Sequence, residues 1–238
     1  MPILKPSKFV SVARFITEAF QDVILPHHCL SCHKVDLARD ELVCDNCWKQ
    51  IPRAGTPDEI TAFLEGSLQA PIYFHSAWAL WNFSPVMQQI IHQLKYSELW
   101  KLADKIGKLM AEAFNALNLS PDDLLIVPVP LHRTRLRERG YNQSALIAGS
   151  LAAELGLCCR DDILQRIRYT KTQTKLSAIE RQKNVADAFR VSHSEEIRGA
   201  TVVLIDDVLT TGATMNACSK VLAAFHPRQI LLLAAVKA

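Results

Sequence analysis

Apolar and polar positions change their spacing along the chain. Near the N-terminus apolar residues recur every three or four positions, which predicts an amphipathic helix that packs on its own protein, or else serves a partner or a membrane surface. These residues are Phe9, Val12, Ile16, Phe20 and Val23. Residues 72–83 are rich in aromatics and predict one long strand or a strand pair. Ser84 and Pro85 then begin a long predicted helix, which breaks near Tyr96.

Short apolar runs alternate with helical patterns after Pro121. Strands are predicted at 124–129, 163–167, 188–191, 201–205 and 229–236, and helices at about 142–155 and 214–224, with a basic loop after the first of these strands. Strands that alternate with helices predict a parallel sheet with right-handed crossovers and helices on both faces. The pattern therefore indicates an α/β fold.

Composition and charge narrow the class of protein. The chain has 238 residues, 49% of them hydrophobic, which is enough for a core, and it has no run of 18 apolar residues, so no membrane span is expected. Charged residues within the N-terminal apolar pattern exclude a signal peptide, and we expect a cytoplasmic protein. The net charge is only +3, but residues 131–141 carry +3 and residues 160–190 carry +4. Such local basic charge is typical of a site for phosphate or nucleic acid.

Four of the seven cysteines form a metal-binding pattern. Cys29 and Cys32 are one C-x-x-C pair, and Cys44 and Cys47 are a second, eleven residues further on. Four thiolates at this spacing can close a tetrahedron around Zn2+. No coordination position then stays open, so the zinc is expected to be structural. The other three cysteines are expected in the core, namely Cys158, Cys159 and Cys218.

A ligand site is predicted where the apolar run 202–205 ends in two acids, Asp206 and Asp207. Ligands of parallel sheets bind beyond the carboxyl ends of the strands. The next loop would point backbone N–H groups and a helix N-terminus at an anion. It contains Thr210, Thr211, Gly212, Ala213 and Thr214. A phosphate beside acids that accept hydrogen bonds from hydroxyls describes a ribose 5-phosphate.

This stretch has two alternative interpretations. A Walker B strand also ends in acids, but it requires a G-x-x-x-x-G-K-[ST] loop elsewhere, and the chain has none. A chance acid pair on an ordinary strand–turn–helix is the second alternative.

The stretch VVLIDDVLTTGAT (202–214) resembles the thirteen-residue fingerprint of type I phosphoribosyltransferases, which bind 5-phosphoribosyl 1-pyrophosphate (PRPP) with Mg2+. Together with IVPVPLHRTRLRERGYNQS (126–144), TKTQTKLSAIERQKNVADAF (170–189) and the paired C-x-x-C sites, it resembles the ComF family, whose members include GntX-type proteins linked to DNA uptake or use. The resemblance covers nearly the whole chain. It departs at residues 225–227, Phe-His-Pro, where family members often have a glycine-containing turn.

The resemblance implies a role for each site residue. Asp206 and Asp207 would take the ribose hydroxyls and act in catalysis, and residues 210–214 would hold the 5-phosphate. Three arginines beside the loop after strand 124–129 would bind pyrophosphate, namely Arg133, Arg135 and Arg137. A solvated basic turn and a nucleic-acid contact are the alternatives for these arginines.

Residues 169–184 are polar and lysine-bearing, which predicts a mobile lid. In related enzymes a flexible loop closes over PRPP and adds positive charge. Here Lys171 and Lys175 would act as catalytic residues, with further charge from Arg181 and Lys183. A disordered solvated loop and a DNA-binding strip are the alternatives.

The predicted organisation has three parts. Residues 1–50 form an N-terminal helix and zinc segment, residues 51–120 a hood-like connector with aromatic strands and a helix, and residues 121–238 a PRPP-binding domain. Two functions fit this organisation. One is Mg2+-dependent transfer of ribose 5-phosphate to an unidentified acceptor, with release of pyrophosphate. The other is a non-catalytic PRPP or nucleotide sensor that acts in DNA uptake through single-stranded DNA or a helicase.

Overall fold

The computed structural model describes residues 28–35, 37, 41–96, 100–117, 123–169, 185 and 187–238. The predicted N-terminal helix lies outside these residues, as do the four basic residues of the predicted lid, Lys171, Lys175, Arg181 and Lys183. The chain divides into two compact units, with the boundary after Gln50. The predicted boundary near residue 120 stays a prediction.

The elements follow one another in a mixed order. They are α1 (Asp45–Gln50), α2 (Pro57–Ser67), β1 (Ser76–Asn82), α3 (Pro85–Tyr96), α4 (Trp100–Asn115), β2 (Leu124–Pro128), α5 (Arg133–Arg139), α6 (Gln143–Glu154), β3 (Leu164–Arg166), β4 (Phe189–Val191), β5 (Thr201–Leu209), α7 (Ala213–Ala223) and β6 (Gln229–Lys237). None of the helices in the described ranges is long and apolar enough to cross a membrane.

A four-stranded parallel sheet in the order β1–β6–β5–β2 forms the centre of the second unit. β5 is paired on both sides, with Val203 opposite Ile126 in β2 and Leu231 in β6. Residues 202–205 are all 0% exposed. A continuous apolar run is what a parallel strand covered on both faces requires. The predicted α/β fold with a parallel sheet is confirmed.

Helices cover the two faces of this sheet. Val202 and Leu204 of β5 belong to a buried cluster that includes Leu64 of α2 and Met215 of α7. Successive strand residues point to opposite faces, so Val203 and Ile205 face the other way, where α6 packs against β2 and β5. The sheet therefore buries apolar residues on both sides.

The segment predicted as one long helix contains two described helices, because α3 ends at Tyr96 and α4 begins at Trp100. The break predicted near Tyr96 falls on residues 97–99, which lie outside the described residues. Ser84 caps α3 as predicted, because its Oγ accepts a hydrogen bond from the Met87 amide at 3.2 Å. Gly107 of α4 lies so close to α6 that a Cβ there would lie 2.5 Å from Ser150 Cβ.

One prediction about the sheet is wrong. The segments predicted at 163–167 and 188–191 do not join the parallel sheet, because β3 and β4 pair antiparallel in a separate two-stranded sheet. The aromatic segment 72–83 forms a single strand, β1, which is one of the two predicted alternatives and is shorter than predicted.

Two further predictions fail at the level of single segments. The basic loop predicted after β2 contains the helix α5, which is capped at its start because His132 Nδ1 accepts from the Thr134 amide at 3.2 Å. Cys158 is exposed and Cys159 half-buried, so only Cys218 of the three remaining cysteines is a core residue.

The turn after α7 contains residues 225–227, where the family resemblance leads us to expect a glycine. His226 has φ 57°, which lies in the left-handed region that glycine favours. Its carbonyl accepts a hydrogen bond from the Gly199 amide at 3.0 Å. A histidine therefore takes a backbone conformation for which glycine is the usual residue.

Candidate functional site

Asp206 and Asp207 lie within β5, and not beyond its end as the sequence suggested. β2 ends at Pro128, opposite Ile205, whereas β6 continues to pair with β5 as far as Leu209. The strand persists because β6 still provides a partner on one side. Among the described strands, none pairs with the other side of β5 beyond Ile205, so the acids lie where the sheet narrows from four strands.

The carboxylate of Asp206 is held by two donors. Ser144 Oγ, in the first turn of α6, donates to Asp206 Oδ1 at 2.8 Å, and the Asp207 amide donates to the same oxygen at 3.0 Å. Burial, together with the neighbouring charge of Asp207, raises the pKa of Asp206 to about 8, although both hydrogen bonds oppose this shift. Without ligand, Asp206 therefore favours its neutral form at pH 7.

The loop between β5 and α7 has the shape expected of an anion site. Gly212 caps α7 with φ 74° and supplies no side-chain hydrogen bond to the first helical turn. A Cβ at Gly212 would lie 2.9 Å from Leu64 Cδ2, so α2 packs directly beneath the loop. Thr210 is exposed, and Thr211 and Thr214 are half-buried. Thr211 Oγ1 accepts from the Ala213 amide at 3.4 Å. The predicted residues 210–214 thus lie at a helix N-terminus, the arrangement that favours a bound phosphate.

Asn142 connects the loop after β2 to the acid pair. Its Nδ2 donates to the Val129 carbonyl at 3.0 Å, and its Oδ1 accepts from the Ser144 amide at 3.2 Å. The Val129 amide in turn donates to the Ile205 carbonyl at 2.8 Å. The loop, the start of α6 and Asp206 are therefore held by one chain of hydrogen bonds. Sequence reasoning singled out neither Asn142 nor Ser144, although both lie in the quoted stretch that ends in YNQS.

The three predicted pyrophosphate-binding arginines do not share one face of α5. Arg133 and Arg137 are four residues apart and lie on the same face, where both are exposed, whereas Arg135 is half-buried on the other side. Arg135 is close enough to Arg166 of β3 to lower the pKa of that guanidinium. Because residues 133–139 form a helix and not the predicted loop, the three arginine side chains point in different directions and do not all lie on one surface.

Arg166 is a site residue that sequence reasoning missed. It lies over the Phe189 ring, with its guanidinium carbon 5.3 Å from the ring centre. Burial lowers the pKa of Arg166, while the nearby carboxylate of Asp206 acts in the opposite direction. The residue is one of eight cations between positions 160 and 190. No local pattern marks it, because its burial depends on the separate β3–β4 pair.

The four predicted zinc ligands converge in the first unit. The Sγ atoms of Cys29, Cys32, Cys44 and Cys47 all lie within 4.8 Å of one another, and Cys32 Sγ and Cys44 Sγ are 3.8 Å apart. Sulfur atoms at about 2.3 Å from a tetrahedral zinc lie roughly 3.8 Å from each other, so the cluster fits the ion. The four-cysteine cluster supports a structural zinc.

Backbone amides prepare this cluster for a metal. The amides of Ser31 and Cys44 each donate to Cys29 Sγ at 3.4 Å. Burial raises the pKa of Cys29, but backbone amides outweigh burial and lower the pKa to about 6. Burial raises the pKa of Cys47 to about 12, so this thiol needs a nearby cation to ionise. A zinc ion held by the four cysteines would supply that charge.

Comparison with known proteins agrees with both units. A model of the phosphoribosyl transferase domain matches residues 141–237, and a model of the double zinc ribbon domain matches residues 20–57. DNA utilization protein YhgH of Salmonella typhimurium is 31% identical over 194 residues, which cover 76% of this chain and 83% of that protein. The chain belongs to the ComF family.

Two other relatives carry names from this family. Competence protein F of Haemophilus influenzae is 42% identical over 98 residues, which cover 41% of this chain and 43% of that protein. Competence protein ComFC of Bacillus subtilis is 23% identical over 201 residues, which cover 78% of this chain and 80% of that protein. The resemblance to the ComF family that the sequence suggested is therefore confirmed, with a phosphoribosyltransferase domain and an N-terminal zinc segment.

Proposed function

We propose that this ComF-family protein binds PRPP and Mg2+ and transfers ribose 5-phosphate to an acceptor, with release of pyrophosphate. One observation carries the proposal. The acids Asp206 and Asp207 lie in β5, and β5 leads directly into the loop that contains Gly212 and ends at the N-terminus of α7. This unit presents acceptors for sugar hydroxyls and donors for a phosphate a few residues apart.

In the proposed reaction the chain positions groups and does not form a covalent intermediate. Asp206 and Asp207 would accept hydrogen bonds from the ribose hydroxyls, while residues 210–214 hold the 5-phosphate. The acceptor's nucleophilic atom then bonds to C1 of the ribose, and the C1–O bond breaks with its electron pair left on pyrophosphate. The acceptor loses its proton to solvent or to a nearby base. Catalysis of this kind is positioning together with electrostatic stabilisation.

Positive charge for the leaving pyrophosphate would come from α5 and from the predicted lid. Arg133, Arg135 and Arg137 are the candidates on α5, and an arginine fork pairs well with phosphate oxygens. Lys171 and Lys175 stay predicted catalytic residues of the lid. Mg2+ prefers oxygen ligands, so the carboxylates of the acid pair fit it, directly or through water. When bound, it would neutralise phosphate charge.

The proposal is tested by the appearance of pyrophosphate. Purified protein is incubated with PRPP, Mg2+ and a pool of bases and nucleosides, and pyrophosphate release is measured against protein-free controls. Calorimetry then compares PRPP affinity in the native protein and in the double variant Asp206→Asn with Asp207→Asn. We expect the double variant to lose binding and to keep its fold, whereas Asp162→Asn, which changes an exposed acid, keeps both. Unchanged PRPP affinity in the double variant would show that the ribose assignment is wrong.

The second candidate is a non-catalytic PRPP or nucleotide sensor. The zinc cluster and the names of the relatives, which refer to DNA utilization and competence, favour it. Here the protein would act in DNA uptake in the cytoplasm, through single-stranded DNA or a helicase partner. PRPP binding without pyrophosphate release, across the whole acceptor pool, would favour this candidate over the transferase.

A further inference from the structure

A cavity of about 660 Å³ lies beside the acid pair but is not lined by it. Its walls come from the loop after β2, from α5, from the first turns of α6 and from the β3–β4 pair. No residue of the β5–α7 loop is among its lining residues. A volume of this size is typical of a site for a small molecule.

The polar part of the cavity is strongly basic. Three arginines line it, Arg133, Arg166 and Arg190, against a single acid, Asp161, and one histidine, His132. Arg190 Nη2 donates to Gln165 Oε1 at 3.0 Å, so β3 and β4 hold this guanidinium at the cavity wall. Three guanidinium groups and one carboxylate give the cavity wall an excess of positive charge, which favours a bound anion.

The rest of the wall is apolar. Leu136 and Ile167 line the cavity and are 41% and 55% exposed, so they offer apolar surface to a ligand. Leu146 of α6 and Leu164 of β3 extend this surface. Pyrophosphate alone would leave these side chains without a contact, and it needs far less space. The lining therefore matches a molecule with an apolar body and an anionic group.

We propose that this cavity binds a small amphipathic anion, with a ring or short chain against Leu136 and Ile167 and a carboxylate or phosphate toward Arg166 and Arg190. Asn142 lines the cavity and accepts a hydrogen bond from the Ser144 amide, and Ser144 Oγ donates to Asp206, so the bound molecule lies near the acid pair. That the bound anion is the acceptor of the ribose rests on the proposed function. The binding itself does not, because Arg133 is the one described residue assigned to PRPP that lines the cavity, and neither the acid pair nor the β5–α7 loop lines it.

The test uses a probe that carries no ribose and no phosphate. Isophthalate is a rigid aromatic dianion, and isophthalamide is the same ring without charge. Calorimetry with the full-length protein should give isophthalate a Kd on the order of 1 mM, as expected for a ligand of this size. Isophthalamide should bind at least about tenfold more weakly, because its amide oxygens carry no negative charge and cannot form an ion pair with arginine.

Variants identify the binding site. Arg190→Gln removes an exposed guanidinium and should weaken isophthalate binding at least about tenfold, with partial recovery in Arg190→Lys. Arg198→Gln, which removes an exposed arginine outside the cavity, should change nothing. Equal binding of isophthalate and isophthalamide, unchanged binding in Arg190→Gln, or no binding at about 10 mM would each overturn the proposal.

A competition experiment separates this inference from the proposed function. Saturating ribose 5-phosphate with Mg2+ should leave isophthalate binding intact, and displacement would assign the anion to the β5–α7 loop and overturn the cavity assignment. Asp206→Asn with Asp207→Asn should keep isophthalate binding. If PRPP fails to bind while isophthalate still depends on Arg190, the proposed function fails and the cavity assignment stands.

Discussion

Replacing Asp206 by asparagine should make the stability of the protein less dependent on pH. Asparagine keeps the shape of the side chain and an Oδ1 that accepts from Ser144 Oγ, which lies 2.8 Å from the native carboxylate. It removes only the ionisable group, whose pKa burial and the charge of Asp207 raise to about 8. The variant therefore isolates the energetic cost of ionising this carboxyl group in the folded protein.

The size of the effect follows from the two pKa values. An unfolded aspartate has a pKa of 3.8, so between about pH 4 and pH 8 the folded protein holds a proton that the unfolded chain has released. Stability is then lost as pH rises, by at most about 1.4 kcal/mol per pH unit for one proton. Between pH 5 and pH 7 the native protein should lose up to about 3 kcal/mol relative to Asp206→Asn.

Urea unfolding at pH 5, 6, 7 and 8, in a buffer that contains zinc and no PRPP, measures this difference. Asp162→Asn is a control that should show no pH dependence in this range, because a hydrogen bond from Arg160 lowers the pKa of this exposed carboxyl group below its unfolded value of 3.8. Its contribution to stability is constant from pH 5 to pH 8 and is lost only as pH falls below about 4. If the difference in unfolding free energy between native protein and Asp206→Asn stays constant from pH 5 to pH 8, the carboxyl group is not destabilised by burial.

Three further predictions concern the zinc cluster, the hydrogen bond to Asp206 and the β5–α7 loop. Native protein should carry close to one equivalent of zinc by elemental analysis. Cys29→Ser should lose both the zinc and its solubility, since structural zinc contributes folding energy. A native protein that is purified without metal and is equally stable would contradict this. Ser144→Ala and Ser150→Ala should each lower the free energy of unfolding in urea by about 1 kcal/mol, but only Ser144→Ala should weaken PRPP binding. Equal PRPP affinities in the two variants would exclude a positioning role for Ser144. Gly212→Ala should lower the free energy of unfolding by about 1 kcal/mol more than Gly199→Ala, because both glycines have positive φ but only a Cβ at Gly212 would contact Leu64. Equal losses of stability would mean that the contact with Leu64 costs nothing.

The central strand and its ligand loop were predictable because local patterns specify them. The apolar run before Asp206 can hardly be anything but a buried strand, and Gly212 followed by a helical pattern marks the next helix. The zinc ligands were predictable from spacing alone. In each case the information lies within one short stretch of the sequence, residues 202–214 for the strand and loop and residues 29–47 for the zinc ligands.

Other features depend on contacts between distant segments, which spacing does not reveal. β3 and β4 have three residues each, too few for a period, and their antiparallel pairing is a tertiary event. The burial of Arg166 follows from that pairing. The acids proved to lie inside β5 because β6 is long enough to pair with them, which no property of residues 202–207 indicates.

The edge strand β1 has a consequence for how the protein can be divided. β1 covers one side of β6 along residues 76–82, and Leu64 of α2 supports Gly212 from below. A fragment that begins at residue 121 would therefore expose the backbone of an apolar strand along its length and loosen the loop after β5. Uncovered strands of this kind pair with copies of themselves. A fragment that begins near residue 51 keeps both supports, so it is the shorter piece of the chain that we expect to stay monodisperse in solution.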